Sequence, residues 1–186
     1  MELDEYKQNF RPHDVPPSLA KLVAFDADQS GYYSAGFELT VDDKGGMKTW
    51  SADAKFLDAL FPVAQANGSG SFYALWLQQG GALETAPVVV FGDEGGVHVV
   101  AENIESLLRI LTFDTEPMID HKSIIFYRDD KDYEPSDAKD SYAAWLAAEF
   151  QLSPVKNADE VKALVKAAQD KFAKPFATWM KQYYDA

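Results

Sequence analysis

The sequence predicts an α+β fold: a single domain with a mainly antiparallel central sheet flanked by helices, plus a C-terminal helical extension. Three observations carry this. Phe72–Gln78 and Pro87–Phe91 are apolar without alternation, so neither face of the strands they form suits water. The turn Gly92-Asp-Glu-Gly-Gly96 joins the second run to Val97–Ala101 at hairpin length. Ile104, Leu107, Leu108 and Leu111 then recur at helical spacing, and helical patterns return after residue 138.

In chain order, residues 1–15 are polar and read as an arm or an irregular lead-in. Pro16-Pro17-Ser18 introduces a short amphipathic helix through Leu19, Leu22, Val23 and Phe25, with proline near its first turn. Ala35–Val41 alternates, with Ala35, Phe37, Leu39 and Val41 predicted to face inward; Asp42-Asp-Lys-Gly-Gly46 is a turn and Met47–Trp50 its return strand. Ser51 is expected to cap a helix with Phe56, Leu57 and Leu60 inward, ended by Pro62. Asn67-Gly-Ser-Gly-Ser71 leads into the central strand Phe72–Gln78. The β-branched Val88-Val89-Val90 favours a second strand over a buried helix. Asn103 is the N-cap of the helix that follows, and Glu105 sits in its first turn, where a carboxylate favours the positive end of the helix dipole.

Residues 113–140 read as loop, with Pro117, Pro135 and the acidic run Asp129-Asp-Lys-Asp132, interrupted by one strand at Ser123–Tyr127. Ala138–Phe150 forms a helix carrying Tyr142, Trp145, Leu146 and Phe150. Asn157 with Glu160 resembles a capping box. A stripe of Val161, Leu164, Val165, Ala168 and Phe172 continues in phase through Phe176, Trp179, Met180 and Tyr183 despite Pro175, as one kinked helix or two consecutive ones. The domain thus divides into an α+β core over 16–128 and a helical extension over 138–186 that packs on it, since monomers rarely leave such an apolar row open.

At 186 residues the chain is long enough to bury a core without disulfides or a structural metal, and it has no cysteine. That excludes disulfides, thiolate zinc sites, iron–sulfur clusters and cysteine nucleophiles, and fits a reducing compartment. The acidic start Met1-Glu-Leu-Asp-Glu-Tyr6 is unlike a signal peptide and no apolar run approaches a membrane span, so a soluble, cytoplasmic protein is expected. A net charge of −13 argues against nucleic acid and suits a basic partner, or solubility alone.

Motifs that carry chemistry are incomplete. Ser18-Leu-Ala-Lys21 matches Ser-x-x-Lys without its companion elements. Gly68-Ser-Gly70 precedes a strand, whereas phosphate cradles open a helix. Asp130, Asp132 and Glu134 alternate as in a calcium loop, but Pro135 stands where that loop needs glycine. His13, His98 and His121 lie far apart, leaving Glu116, Asp120 and His121 as the one trio to consider for a metal. No catalytic residue, metal site or cofactor is expected.

Gly68-Ser-Gly-Ser-Phe-Tyr-Ala-Leu-Trp76, Ala86-Pro-Val-Val-Val-Phe-Gly92, Val97–Ala101-Glu-Asn-Ile104 and Leu107-Leu-Arg-Ile-Leu111, in this order, resemble the core of the SUKH superfamily. That group includes yeast cell-wall-synthesis regulators linked to killer-toxin resistance and many bacterial immunity proteins. The resemblance covers about 16–112, tightly 67–111. Members often open with a Leu-Pro-x-x-Tyr-like segment; this chain has Val15-Pro-Pro-Ser-Leu19 there. The resemblance implies an α+β fold, no catalytic residue and, for bacterial members, tight binding of a co-encoded toxin.

The leading expectation is therefore an immunity protein that neutralises a basic toxin domain, plausibly a nuclease. Loop positions nominate Asp42, Asp43, Asp93, Glu94, Asp129, Asp130 and Asp132 as rim acids, and Tyr32, Tyr33 and Trp50 as anchors. The alternatives are a housekeeping regulatory scaffold, or an enzyme or small-ligand binder with a pocket between the sheet and the C-terminal helices.

Overall fold

The computed structural model describes residues 1–184. Its elements are, in order, α1 (Leu3–Tyr6), α2 (Pro17–Ala27), β1 (Glu38–Leu39), α3 (Gly45–Lys48), α4 (Ala54–Asp58), β2 (Leu60–Gln65), β3 (Phe72–Trp76) and β4 (Val88–Phe91). They continue with β5 (Val97–Ala101), α5 (Ile104–Leu111), β6 (Pro117–Ile119), β7 (Ile124–Phe126), α6 (Lys139–Phe150) and α7 (Ala158–Met180). β1 to β5 form one antiparallel sheet in sequence order, and β6 pairs with β7 as a separate ribbon. The fold is the predicted α+β domain, and β3 with β4 beside it holds the middle of the sheet, where both faces can be covered.

The two-sided apolar runs supply two cores. Tyr73, Leu75, Val88, Val90 and Val100 pack on one face against α1, α2, α5, α6 and the inner side of the β6–β7 ribbon. Ala74, Trp76, Val89, Phe91 and Val99 pack on the other against Met47, Phe56 and the α7 residues Ala168, Phe176 and Met180. α7 is one continuous helix with Pro175 inside it on an exposed position. Its first turns, through Val161 and Val165, belong to the first core, and its C-terminal half roofs the second. Polar bonds hold this arrangement: Arg109 Nη2 pairs with Glu160 Oε2 at 3.2 Å, and Gln169 Nε2 donates to the Val99 carbonyl of the edge strand β5 at 3.3 Å. Covering that edge also removes a site for unwanted strand pairing.

Two of the three predicted caps form: Asn103 Oδ1 accepts from Ser106 N at 2.9 Å and Asn157 Oδ1 from Glu160 N at 3.1 Å. The Glu160 carboxylate turns to Lys156 N instead of closing the box on Asn157.

Other expectations are corrected. Residues 1–15 are no arm: Tyr6 and Phe10 are fully buried, and Tyr6 donates its hydroxyl to the Val63 carbonyl at 2.8 Å. Ala35–Val41 narrows to a two-residue strand with Ala35 exposed, and Met47–Trp50 is not its partner. Lys44 adopts a left-handed conformation (φ 66°) that starts α3 in place of a hairpin, so β1 pairs with β2. The cap of α4 is Asp53, whose carboxylate accepts from Lys55 N at 2.8 Å, and not Ser51. Pro62 does not end a helix; it lies inside β2, where the register slips between Pro62 and Ala64 and the missing N–H is tolerated at the irregularity. Pro117 opens β6 within a stretch expected to be loop.

Candidate partner-binding face

The β6–β7 ribbon alternates strictly. Pro117, Ile119, Ile124 and Phe126 are buried, whereas Met118 and Ile125, cross-strand partners, are 54% and 50% exposed. Tyr127, two residues beyond Ile125 and so on the same side, is 62% exposed. The ribbon is thus apolar on both faces, like β3 and β4, but only one face is covered.

Its tip rests on the β4–β5 turn. A Cβ on Gly96, whose φ is +86°, would lie 2.1 Å from the Asp120 carbonyl oxygen, so only glycine permits this approach. At the tip Asp120 Oδ1 accepts from Lys122 N and Ser123 N, each at 2.7 Å, and these donors hold its carboxyl below the ordinary carboxylate range. The neighbouring Asp93 carboxylate accepts from Ser71 Oγ at 2.6 Å, which lowers it likewise. Both keep their charge to a lower pH than an ordinary carboxylate does.

Glu116 anchors the 67–71 turn by accepting from Gly68 N at 3.1 Å. It also lines two adjoining hollows. One, of about 480 Å³, is bounded by Asp93, Glu94, Glu116, Asp120, Met118 and Ile125. The other, of about 400 Å³, includes Tyr32, Glu38, Glu116 and Asp137. Among the described residues neither is lined by lysine or arginine. Tyr32 is itself 60% exposed, so the four large apolar side chains that stand most open to solvent gather on or beside one acidic band.

Beyond Tyr127 the acidic run is exposed. Its one arginine folds away: the Arg128 guanidinium lies over the rings of Phe113 and Tyr133, at 4.4 and 4.0 Å, and donates to the Phe113 carbonyl at 2.6 Å. The same guanidinium also pairs through Nε with Asp130 Oδ1 at 3.0 Å, so Asp129 and Asp132 are the acids of the run without an ion pair among the described residues, and all three lie exposed.

Of the residues nominated from sequence, Asp93 and Glu94 therefore lie at the tip end of the ribbon, and Asp129, Asp130 and Asp132 follow its other end. Tyr32 joins them through the hollow it shares with Glu116. Four nominations fall elsewhere. Asp42 and Asp43 follow the edge strand β1, in a turn where Asp42 Oδ1 accepts from Gly45 N and Asp43 pairs with Lys48. Tyr33 is no surface anchor: it is only 4% exposed and packs edge-on against Phe25 in the core. Trp50 is half-buried on the second face, against Phe91 and Tyr184. Sequence reasoning missed Met118, Ile125, Tyr127 and Glu116 as surface residues; the detectable signal was the unbroken apolar Ile124-Ile-Phe-Tyr127.

One polar cluster has the residue types of a catalytic group. Buried Asp114 accepts from Ala35 N, Ser136 N, Ser136 Oγ and the Tyr133 hydroxyl, and Lys139 Nζ donates to that hydroxyl at 2.6 Å. Burial and Asp114 push the Tyr133 phenol up, away from any acid–base range near neutrality. Burial also raises Asp114, but its donors outweigh this and hold it below the usual carboxylate value. The cluster is a clasp that ties residue 35 and the 133–136 loop to the end of α5. Glu116, Asp120 and His121 do not converge: among the described residues no group of three or more His, Cys, Asp or Glu is placed to hold a metal ion. No described helix is long and apolar enough to cross a membrane.

No family model, no curated protein and no solved structure matches the chain.

Proposed function

We propose that this chain is a protein-binding module of the SUKH type, an immunity protein that neutralises a basic bacterial toxin domain by docking it on the β6–β7 face. The observation that carries the reading is the union of exposed apolar anchors with acids that make no ion pair among the described residues: Met118, Ile125, Tyr127 and Tyr32 beside Asp93, Glu94, Glu116 and Asp120. The net charge of −13 and the resemblance of residues 67–111 to the family core support it. In such an interface the desolvated apolar side chains slow dissociation, and the surrounding carboxylates steer a cationic partner and speed association.

The test is growth. Cells producing the toxin encoded beside this gene should survive when the wild-type chain is co-expressed and die when Met118→Asp/Ile125→Asp replaces it, with both proteins equally folded by circular dichroism. No protection by the wild type would remove the immunity reading; protection by both would move the docking face elsewhere.

A further inference from the structure

A third hollow, of about 740 Å³, lies on the other side of the ribbon tip, between β5 and the C-terminal half of α7. Phe176 and Met180, both buried, line it from α7, and Trp50 walls one side. Ala173 and Ala177, one helical turn apart, line it with short side chains. Its volume falls in the ordinary range of small-molecule sites, about 300–1,000 Å³.

The rim reverses the character of the molecule. In a chain with 30 acidic and 17 basic residues, the titratable side chains contributed by the described lining are His98, His121, Lys122, Lys181 and Tyr184, with no carboxylate among them. Neither lysine is ion-paired among the described residues. His98 donates Nε2–H to the Asp120 carbonyl at 2.7 Å, which fixes the ribbon tip, and with it Lys122, at the mouth.

We infer that this hollow binds a small organic anion with a flat apolar body, its ring against Trp50, Phe176 and Met180 and its acid group between Lys122 and Lys181. The site is separate from the docking face and independent of the immunity reading. Apolar burial supplies the attraction for the ring, and two exposed cations at the mouth select the negative head group.

The probe is 1-anilinonaphthalene-8-sulfonate, titrated into the folded full chain and followed by fluorescence and calorimetry. Saturable binding at one site is expected. Lys122→Glu/Lys181→Glu should weaken it at least tenfold with an unchanged melting temperature, and N-phenyl-1-naphthylamine, which lacks the sulfonate, should bind at least tenfold more weakly. Met118→Ser/Ile125→Ser should leave the affinity unchanged. Equal affinity of the lysine variant, equal affinity of the neutral probe, loss of binding in the ribbon variant, or no saturable binding would each overturn the proposal.

Discussion

Met118 and Ile125 face each other across the β6–β7 ribbon and both remain about half exposed, while their neighbours Ile119 and Ile124 are buried in the core. Replacing the exposed pair with serine should therefore change folding stability by no more than about 1 kcal/mol, because those side chains already meet water. Affinity for a basic protein partner should fall by about 2 kcal/mol or more. Urea denaturation and titration calorimetry separate the two. A lowered unfolding midpoint with intact binding would make the pair structural.

The acids at the two ends of the ribbon should act on rates. Reversing Asp129, Asp130 and Asp132 to lysine should slow association with the partner far more than it speeds dissociation. The wild-type association rate should fall steeply as ionic strength rises past about 0.1 M, where the Debye length drops below about 10 Å. Stopped-flow mixing across a salt series reads both. A salt-insensitive rate would take these acids off the binding surface.

Asp114 makes stability depend on pH. Its folded-state value lies below the ordinary carboxylate value, so the stabilisation is present above about pH 4 and is lost as pH falls through the folded value. Asp114→Asn keeps a residue that tolerates its left-handed backbone (φ 57°) but removes the charge that four donors serve. It should cost about 2–4 kcal/mol at pH 7. The gap to wild type should narrow below pH 4 in denaturant melts; a gap that widens in acid would reverse the assignment.

The Tyr73 hydroxyl is buried in the middle strand with no hydrogen-bond partner among the described residues. Tyr73→Phe removes that unsatisfied group with little change of shape and should stabilise the fold by about 1 kcal/mol. A drop in melting temperature would show that the hydroxyl is served by water.

α7 completes the core. Phe176, which packs on Trp76 with ring centroids 5.1 Å apart, should cost about 3–5 kcal/mol when cut to alanine. Removing residues 157–186 should abolish cooperative unfolding, since it bares Trp76, Val89 and Phe91 together. A truncated chain that still melts sharply would make the helix an accessory.

What could be read from the sequence was local. β3, β4, β5 and α5 each announce themselves within a few residues, through a two-sided apolar run, a glycine turn or an N-cap. β2 does not, because Pro62 argues against a strand until its irregular pairing with β3 is known. Tyr6 and Phe10 give a weak signal among charged neighbours, and the carbonyl that receives the Tyr6 hydroxyl is 57 residues away. The candidate face divides in the same way. Asp93, Glu94, Asp129, Asp130 and Asp132 stand in evident loops and are legible there, whereas the anchors Met118 and Ile125 lie on three-residue strands whose second face is apolar but uncovered. Apolar residues on both sides of a strand indicate that both sides will be buried, but not by which molecule.

Because Phe176 and Met180 are synthesised after the strands they cover, the second face of those strands leaves the ribosome before its cover exists. At roughly 5–20 residues per second, translation from β5 to the end of α7 leaves Trp76, Val89 and Phe91 in water for several seconds. A ribosome stalled before residue 158 would display the same greasy plane to its neighbours in a polysome, where aggregation competes directly with completion.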